Sequence, residues 1–125
     1  MGKEKKKVLI VDDDPAMRRA LRVLLDGMDL QAIEADDGDR ALQALRRERP
    51  GLVLLDIHMP KLDGMAVMDA ILETCPGLGV IVVTGDGDEG HAQLAMEKGA
   101  CDFILKPFDI DSFKNSVAMN FFARS

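Results

Sequence analysis

The sequence has no tryptophan and no tyrosine, and it has only two cysteines and two histidines. Without those two aromatic residue types, it lacks the side chains that we would expect to stack on a flavin. Cys75 and Cys101 are too few for a disulfide framework and match no zinc spacing, so we expect ordinary thiols. No apolar run approaches the length of a membrane span. The apolar segment 8–11 after the basic N-terminus is too short for a secretory signal, so we expect a cytoplasmic protein without a membrane partner.

Positive charge is also in the minority. Lys and Arg total 16 against 22 Asp and Glu, a formal net charge of -6, which argues against nucleic-acid binding by this domain. The lysine-rich segment 3–7 is compatible with a basic arm, but a solvated leader over residues 1–6 is the favoured interpretation. A chain of 125 residues can bury its own core, so we predict one domain over residues 1–125.

Short apolar runs alternate with segments of helical periodicity along the whole chain. Strands are predicted at 7–11, 30–35, 52–55, 80–83 and 103–105. Helices are predicted to begin after Asp14-Pro15, at Asp36-Asp37-Gly38, near Gly64, near His91 and after Asp109. This alternation predicts an α/β domain in which one parallel sheet carries helices on both faces. The pattern does not determine the order of the strands.

Two of the predicted helices have a clear inner face. In the first helix, apolar residues recur at spacings of three and four from Met17 to Met28, which leaves Arg18, Arg19 and Arg22 on the solvated side. The last helix has its predicted inner face at Ile110, Phe113, Val117 and Phe121.

Polar residues stand where the predicted strands end. Asp12 and Asp13 follow the first strand, Asp56 the third, Thr84 the fourth and Lys106 the fifth. Each has a simpler interpretation, as a helix cap, a turn former or a solvated lysine. Because the carboxyl ends of parallel strands meet at one edge of a sheet, all of them together indicate a site.

Three carboxylates at one edge require a cation. At about 4 Å and an effective dielectric near 20, each pair repels by roughly 4 kcal/mol, and one ammonium cannot offset three negative charges. A small divalent ion can, and Mg²⁺, or Mn²⁺ as the alternative, suits one or two carboxylates together with water and a phosphate oxygen. A carboxylate can also act as a nucleophile and form an aspartyl phosphate. The lysine and the threonine hydroxyl would then bind phosphoryl oxygens.

Four motifs resemble the receiver domain of response regulators in two-component signalling. They are Val-Asp-Asp-Asp-Pro at 11–15, Leu-Leu-Asp-Ile-His-Met-Pro-Lys-Leu-Asp-Gly at 54–64, Val-Val-Thr-Gly at 82–85 and Gly-Ala-Cys-Asp-Phe-Ile-Leu-Lys-Pro-Phe at 99–108. The resemblance covers essentially the whole chain. It implies a doubly wound, flavodoxin-like (βα)5 fold with strand order 2-1-3-4-5. It also implies a signalling switch driven by phosphorylation, with no independent substrate turnover.

The resemblance assigns the metal and phosphate site. Asp56 matches the phosphoacceptor, and Asp13 matches the direct metal ligand. Asp12 matches an acidic partner that holds the metal through water, and His58 matches the residue whose backbone carbonyl completes the metal shell. We expect the imidazole of His58 at the rim of the pocket, and we expect His91 at the surface.

The resemblance also assigns the switch. Thr84 and Lys106 match the switch hydroxyl and the phosphate-binding lysine. Phe103 occupies the position of an aromatic switch residue that is often tyrosine. Because phenylalanine has no hydroxyl, any coupling at this position must depend on packing.

The partners follow from the same resemblance. A phosphohistidine on a sensor histidine kinase or on a phosphotransfer protein would donate the phosphoryl group, with docking contacts at Met17, Arg18 and Leu21. The signal, and a homodimer, would use the face formed by the fourth helix, fifth strand and fifth helix. Both a stand-alone receiver and the receiver part of a larger regulator fit the sequence.

Two other classes share some of these features. A haloacid-dehalogenase-type phosphatase also combines a strand-end Asp with Thr, Lys and Mg²⁺. It needs a second Asp two residues after the nucleophile, where this chain has His58, and a cap domain for which the chain has no room. A nucleotide- or flavin-binding module on the same fold would need a Gly-rich phosphate loop after a strand, and the sequence contains none.

Overall fold

The computed structural model describes residues 5–59, 62–85, 87 and 89–122. In this part of the chain five strands form a parallel sheet, and they are β1 Lys7–Val11, β2 Gln31–Ala35, β3 Leu52–Leu55, β4 Gly79–Gly85 and β5 Asp102–Lys106. Their order in the sheet is 2-1-3-4-5. The flavodoxin-like fold that the motif resemblance implies is therefore confirmed.

Within the described residues, five helices connect or follow these strands: α1 Pro15–Asp26, α2 Gly38–Glu48, α3 Gly64–Thr74, α4 Glu89–Lys98 and α5 Ile110–Phe122. Aspartate side chains cap the first three. Asp14 accepts a hydrogen bond from the Ala16 amide at 3.0 Å, and Asp37 accepts one from the Arg40 amide at 2.8 Å. Such caps satisfy amides that have no partner inside the helix, so the sequence signals at Asp14 and Asp37 mark the true helix starts.

The helices cover the sheet from both sides and enclose two apolar clusters. One cluster lies between the sheet and α1 with α5, and it includes Leu21, Leu25, Phe113 and Val117. The other lies between the sheet and α2, α3 and α4. All four residues of β3 are buried, as the uninterrupted apolar run predicts, whereas β2 at the sheet edge is mostly part-exposed or exposed.

Two residues predicted on inner faces lie at the surface instead. Ile110, the first residue of α5, is 53% exposed, and the next two residues are exposed as well, so burial along this helix begins at Phe113. Ala20, which belongs to the apolar series predicted from Met17 to Met28, is exposed on α1 although its apolar neighbours Leu21 and Leu25 are buried. The other predicted inner residues of α5, namely Phe113, Val117 and Phe121, are buried.

A short antiparallel hairpin, which the sequence did not predict, follows β3. His58–Met59 pairs with Leu62–Asp63 in the segment that joins β3 to α3. The two residues between these strands, 60 and 61, lie outside the described residues. The hairpin brings the chain directly from the end of β3 to Asp63, whose side chain caps α3 by accepting from the Met65 amide at 3.0 Å.

The described part of the predicted leader lies against the domain. Lys5 forms ion pairs with Asp26 and Asp29, each at 3.6 Å, and the carbonyl of Lys6 accepts a hydrogen bond from the Gln31 amide at 2.8 Å. Residues 1–4 of the predicted leader lie outside the described residues. Among the helices of the described chain, none is both long enough and apolar enough to cross a membrane.

Candidate functional site

The register of the sheet places Asp12 and Asp56 side by side. Val11 pairs with Leu55 where β1 and β3 end, and the Asp56 amide donates to the Val11 carbonyl at 2.9 Å. The sheet order changes direction between these two strands, because β2 lies on one side of β1 and β4 lies beyond β3. Open parallel sheets bind their ligands at such a crevice.

Asp12 is buried, with 2% of its surface exposed. One carboxylate oxygen, Oδ1, accepts from the Asp14 amide at 2.9 Å, and Oδ2 lies 3.3 Å from Lys106 Nζ. Burial raises the pKa of Asp12 above its ordinary value, and the Asp56 carboxylate adds to the increase. The hydrogen bond from Asp14 and the charge of Lys106 oppose it, without reversing the direction.

Asp56 is 7% exposed and is held at both carboxylate oxygens. Its Oδ1 accepts from the His58 amide at 2.8 Å, and its Oδ2 accepts from Lys106 Nζ at 3.3 Å. Lys106 is the last residue of β5, and its ammonium therefore bridges the two aspartates that follow β1 and β3. These contacts orient the carboxylate of Asp56 at the strand end.

Asp13 completes an acidic cluster with Asp12 and Asp56. One carboxylate oxygen from each residue lies within 4.8 Å of the other two. Three carboxylates and one ammonium leave two negative charges in excess, which one divalent ion offsets. An ion bonded to oxygens at about 2.1 Å spans such a cluster after small side-chain adjustments. The donor set and its spacing fit Mg²⁺.

A cleft of about 770 Å³ opens beside Asp13. It runs between the starts of α2 and α3, and its lining includes Leu42, Val67 and Asp63. Asp13 is only partly buried, so the acidic cluster is open to solvent on this side.

Thr84 and Phe103 lie on the same face of the sheet. Val82 pairs with Phe103 and Thr84 pairs with Leu105, and directly paired residues of parallel strands project to the same face. Thr84 is fully buried, and Phe103 packs against the cluster that α2, α3 and α4 cover. Gly85 pairs with Lys106 at the sheet edge, and a Cβ placed there would meet nothing within 4 Å.

The structure also places the other residues that the sequence analysis singled out. His58 contributes its backbone amide to Asp56, and its side chain is exposed, as expected for a residue at the rim. His91 lies exposed on α4, as predicted. Cys75 and Cys101 are both half-buried thiols.

Arg18 is the residue near the site that the sequence pattern placed wrongly. Its side chain is only 17% exposed, and Nη1 donates to the backbone carbonyl of Asp12 at 2.7 Å while Nε donates to Glu34 at 3.1 Å. Helical periodicity puts Arg18 on the outer face, but its long side chain folds back over the end of β1. Leu21 is 1% exposed, so its predicted role as a docking contact is wrong.

Like the contacts of Arg18, the close packing of Gly64 is visible only in the structure. A Cβ at this position would lie 2.3 Å from Cα and 2.5 Å from the carbonyl oxygen of Ile57. Ile57 is the residue between Asp56 and His58. Only glycine permits α3 to begin this close to the segment that carries Asp56.

Comparison with known proteins agrees with the geometry. The model of the response regulator receiver domain matches residues 8–118. The chain belongs to this family, whose members are regulatory phosphoacceptor modules of two-component systems and generally bind Mg²⁺ through acidic residues.

Its relatives include longer regulators and isolated receivers. It is 42% identical over 111 residues to the C4-dicarboxylate transport transcriptional regulatory protein DctD of Pseudomonas aeruginosa, across 89% of this chain and 24% of that protein. It is 40% identical over 102 residues to the DNA-binding transcriptional regulator NtrC of Klebsiella pneumoniae, across 82% of this chain and 22% of that one. The chain thus spans about a quarter of the length of these two curated relatives.

Solved structures give the same family. The receiver domain of NtrX from Brucella abortus superposes with a TM-score of 0.88 at 34% sequence identity, covering 92% of this chain and 98% of that one. A response regulator receiver domain protein from Clostridium thermocellum also superposes with a TM-score of 0.88, at 26% identity, covering 95% of this chain and 96% of that one.

Proposed function

We propose that this protein is a switch that accepts a phosphoryl group on Asp56 from a phosphohistidine of a sensor histidine kinase or phosphotransfer protein. The observation that carries the proposal is the arrangement around Asp56. Its carboxylate lies at the end of a central strand, 3.3 Å from Lys106 Nζ and within an acidic cluster that fits a divalent ion. Charge for binding the incoming phosphoryl group is therefore assembled beside the nucleophile.

In the proposed transfer, an Oδ atom of Asp56 attacks the phosphorus of the phosphohistidine. A P–O bond forms to the carboxylate, the P–N bond breaks, and its electron pair leaves with the imidazole of the donor. The ammonium of Lys106 binds the phosphoryl oxygens during the transfer. The His58 amide keeps the Asp56 carboxyl oriented. Mg²⁺, when bound, supplies positive charge to the phosphoryl oxygens.

The metal shell is proposed from the same residues. Asp13 and Asp56 would ligate Mg²⁺ directly, Asp12 would hold it through water, and the backbone carbonyl of His58 would complete the protein ligands. Mn²⁺ is the alternative ion because it accepts the same oxygen donors. Hydrolysis of the aspartyl phosphate would reset the switch, with the domain assisting both reactions and turning over no other substrate.

The signal is proposed to leave through the surface of α4, β5 and α5, with Thr84 and Phe103 linking it to Asp56. One proposed output is the formation of a homodimer through this face. Because the longer relatives DctD and NtrC are named as transcriptional regulators, we infer that any contact with nucleic acid belongs to a separate output domain. The single-domain assignment over residues 1–125 and the cytoplasmic location remain predictions.

The decisive experiment replaces Asp56 by asparagine. Incubation with acetyl phosphate and Mg²⁺ should add one phosphoryl group to the wild-type protein by intact mass, and Asp56→Asn should abolish the addition. Asp14→Asn is the matched control. It removes one charge from the same edge, while the amide oxygen can still cap α1, so labelling should persist.

Phosphotransfer from a phosphorylated histidine kinase should follow the same pattern, and EDTA should suppress both reactions. Phosphorylation that survives in Asp56→Asn would overturn the assignment.

A further inference from the structure

Arg18 ties the first helix to the loop that carries the acidic cluster. It lies one turn into α1, where its own amide donates to the Asp14 carbonyl at 3.0 Å. From there its guanidinium reaches back and donates through Nη1 to the Asp12 carbonyl at 2.7 Å. No assignment drawn from the motifs includes this contact.

The contact acts on the peptide that joins Asp12 to Asp13. The Oδ1 atom of Asp12 accepts from the Asp14 amide at 2.9 Å, so the turn is held by a side chain on one side and by Arg18 at the carbonyl. The carboxylate of Asp13 is attached to that same peptide. A rotation of the peptide would therefore swing Asp13 relative to Asp56.

Glu34 fixes the other end of the guanidinium. Its Oε1 accepts from Arg18 Nε at 3.1 Å, and its Oε2 pairs with Arg22 Nη2 at 3.0 Å. Glu34 lies on β2, which pairs with β1, so the fork of Arg18 spans two neighbouring strands from α1. A planar guanidinium can bind both acceptors at once, whereas an ammonium has no such fork.

We propose that Arg18 is a positioning residue for the divalent metal, holding the Asp12–Asp13 peptide so that the Asp13 carboxylate faces Asp56. The inference rests on the proposed function, because it assigns a role toward the metal of that site. The contact that carries it, from Arg18 Nη1 to the Asp12 carbonyl, involves neither the three carboxylate groups of the acidic cluster nor Lys106.

Whether Mg²⁺ affinity rises or falls when Arg18 is replaced distinguishes a positioning role of Arg18 from a simple effect of its charge. Removing a cation near a dication should tighten metal binding, because like charges no longer repel. Removing a positioning contact should weaken binding, since outer partners of metal ligands typically contribute about 10–100-fold to affinity. A loss of affinity on neutralising Arg18 therefore has no explanation in charge.

The test is an amide-shift NMR titration with Mg²⁺ on the full chain. Arg18→Met should weaken Mg²⁺ binding about tenfold, at the lower end of that range, and should shift the amides of residues 12–14 in the metal-free spectrum. Arg18→Lys keeps the charge but not the fork, so it should weaken binding by less. This variant decides the question if Arg18→Met does not fold. Arg22→Met, which loses a charge and a contact to Glu34 but none to Asp12, should bind as tightly as the wild type or more tightly.

Two results would overturn the inference while leaving the proposed function intact. The first is an Arg18→Met or Arg18→Lys variant that binds Mg²⁺ as tightly as the wild type. The second is an Arg22→Met variant that loses as much affinity as Arg18→Met. Asp13→Ala serves as the reference for loss of a ligand. Equal binding by wild type and Asp13→Ala would instead overturn the metal site itself, and this inference with it.

Discussion

At the scale of single residues, Asp12 is held in a state that costs the fold stability. It is almost fully buried, and its ionised form faces the Asp56 carboxylate as well as Lys106. Because its pKa is raised in the folded protein, the folded chain binds a proton there more tightly than the unfolded chain does. The ionised carboxylate therefore destabilises the metal-free domain, and the cost appears as the pH rises from 3.8 through the raised pKa.

Asp12→Asn should accordingly raise the melting temperature of the protein in EDTA at pH 7. The gain should disappear as the pH falls toward 3.8, the ordinary pKa. Asparagine can still accept the Asp14 amide, so the turn is retained. Thermal unfolding of both proteins between pH 4 and pH 8 measures the difference, and a lower melting temperature of the variant at pH 7 would contradict the prediction.

Asp109→Asn provides a control, because the pKa of Asp109 is shifted in the opposite direction from that of Asp12. Hydrogen bonds from Ser112 lower the pKa of Asp109, so its ionised form stabilises the fold above the ordinary pKa. That contribution is lost as the pH falls through the lowered pKa. The asparagine variant should therefore be no more stable than the wild type at pH 7.

At the scale of elements, the start of α3 is packed directly onto the segment that carries Asp56, the proposed phosphoacceptor. Gly64 is the first residue of α3, and the hairpin leads the chain from His58 back to it. The missing side chain lets the helix lie against the backbone of Ile57. Protein interiors are densely packed, so an added methyl group there has to displace backbone.

Gly64→Ala should reduce the free energy of unfolding by about 1–3 kcal/mol, the usual cost of overpacking, and should slow phosphorylation of Asp56. Gly90→Ala is the matched control, because Gly90 lies in the first turn of α4 and a Cβ there meets nothing within 4 Å. Alanine should stabilise that helix by roughly 0.5–1 kcal/mol. Urea unfolding and acetyl phosphate labelling give both readouts. Wild-type stability and labelling in Gly64→Ala would rule out the close packing.

At the scale of the whole molecule, the proposed signal must travel from Asp56 to the surface of α4, β5 and α5. A phosphoryl group adds a charge of roughly -1.5 to -2. Thr84 lies on the neighbouring strand and shares a sheet face with Phe103. An inward movement of the threonine hydroxyl would vacate space that the Phe103 ring can enter. A useful switch needs a coupling of about 1–3 kcal/mol, which one hydrogen bond to a charged group can supply.

Thr84→Ala should therefore still accept phosphate at Asp56 but should fail to transmit it. NMR shifts of residues 89–122, with and without beryllofluoride, measure the distal response. Thr74→Ala is the matched control, because the Thr74 hydroxyl bonds to the Ala70 carbonyl at the far end of α3. Its response should equal that of the wild type. The same response in Thr84→Ala would show that Thr84 is not the switch.

The sequence by itself determined where the strands of the parallel sheet and the helices lie, and it indicated which polar side chains meet at the carboxyl ends of the strands. The apolar run of β3 ends at Asp56, and the caps at Asp14 and Asp37 lie where the helices begin. These features are readable because periodicity and capping depend on residues a few positions apart. The convergence of Asp12, Asp56 and Lys106 also followed, since parallel strands present their carboxyl ends at one edge.

Only the tertiary structure decided how residues that are distant in the sequence meet. The strand order came from family resemblance and not from periodicity, because helices of similar length can join strands in several orders. Arg18 reaches Asp12 and Glu34 only once β1, β2 and α1 are assembled. Gly64 meets Ile57 only after the hairpin closes, and Ile110 is exposed although the apolar spacing of α5 places it on the inner face. Such contacts depend on strand register and element packing, which no local pattern encodes.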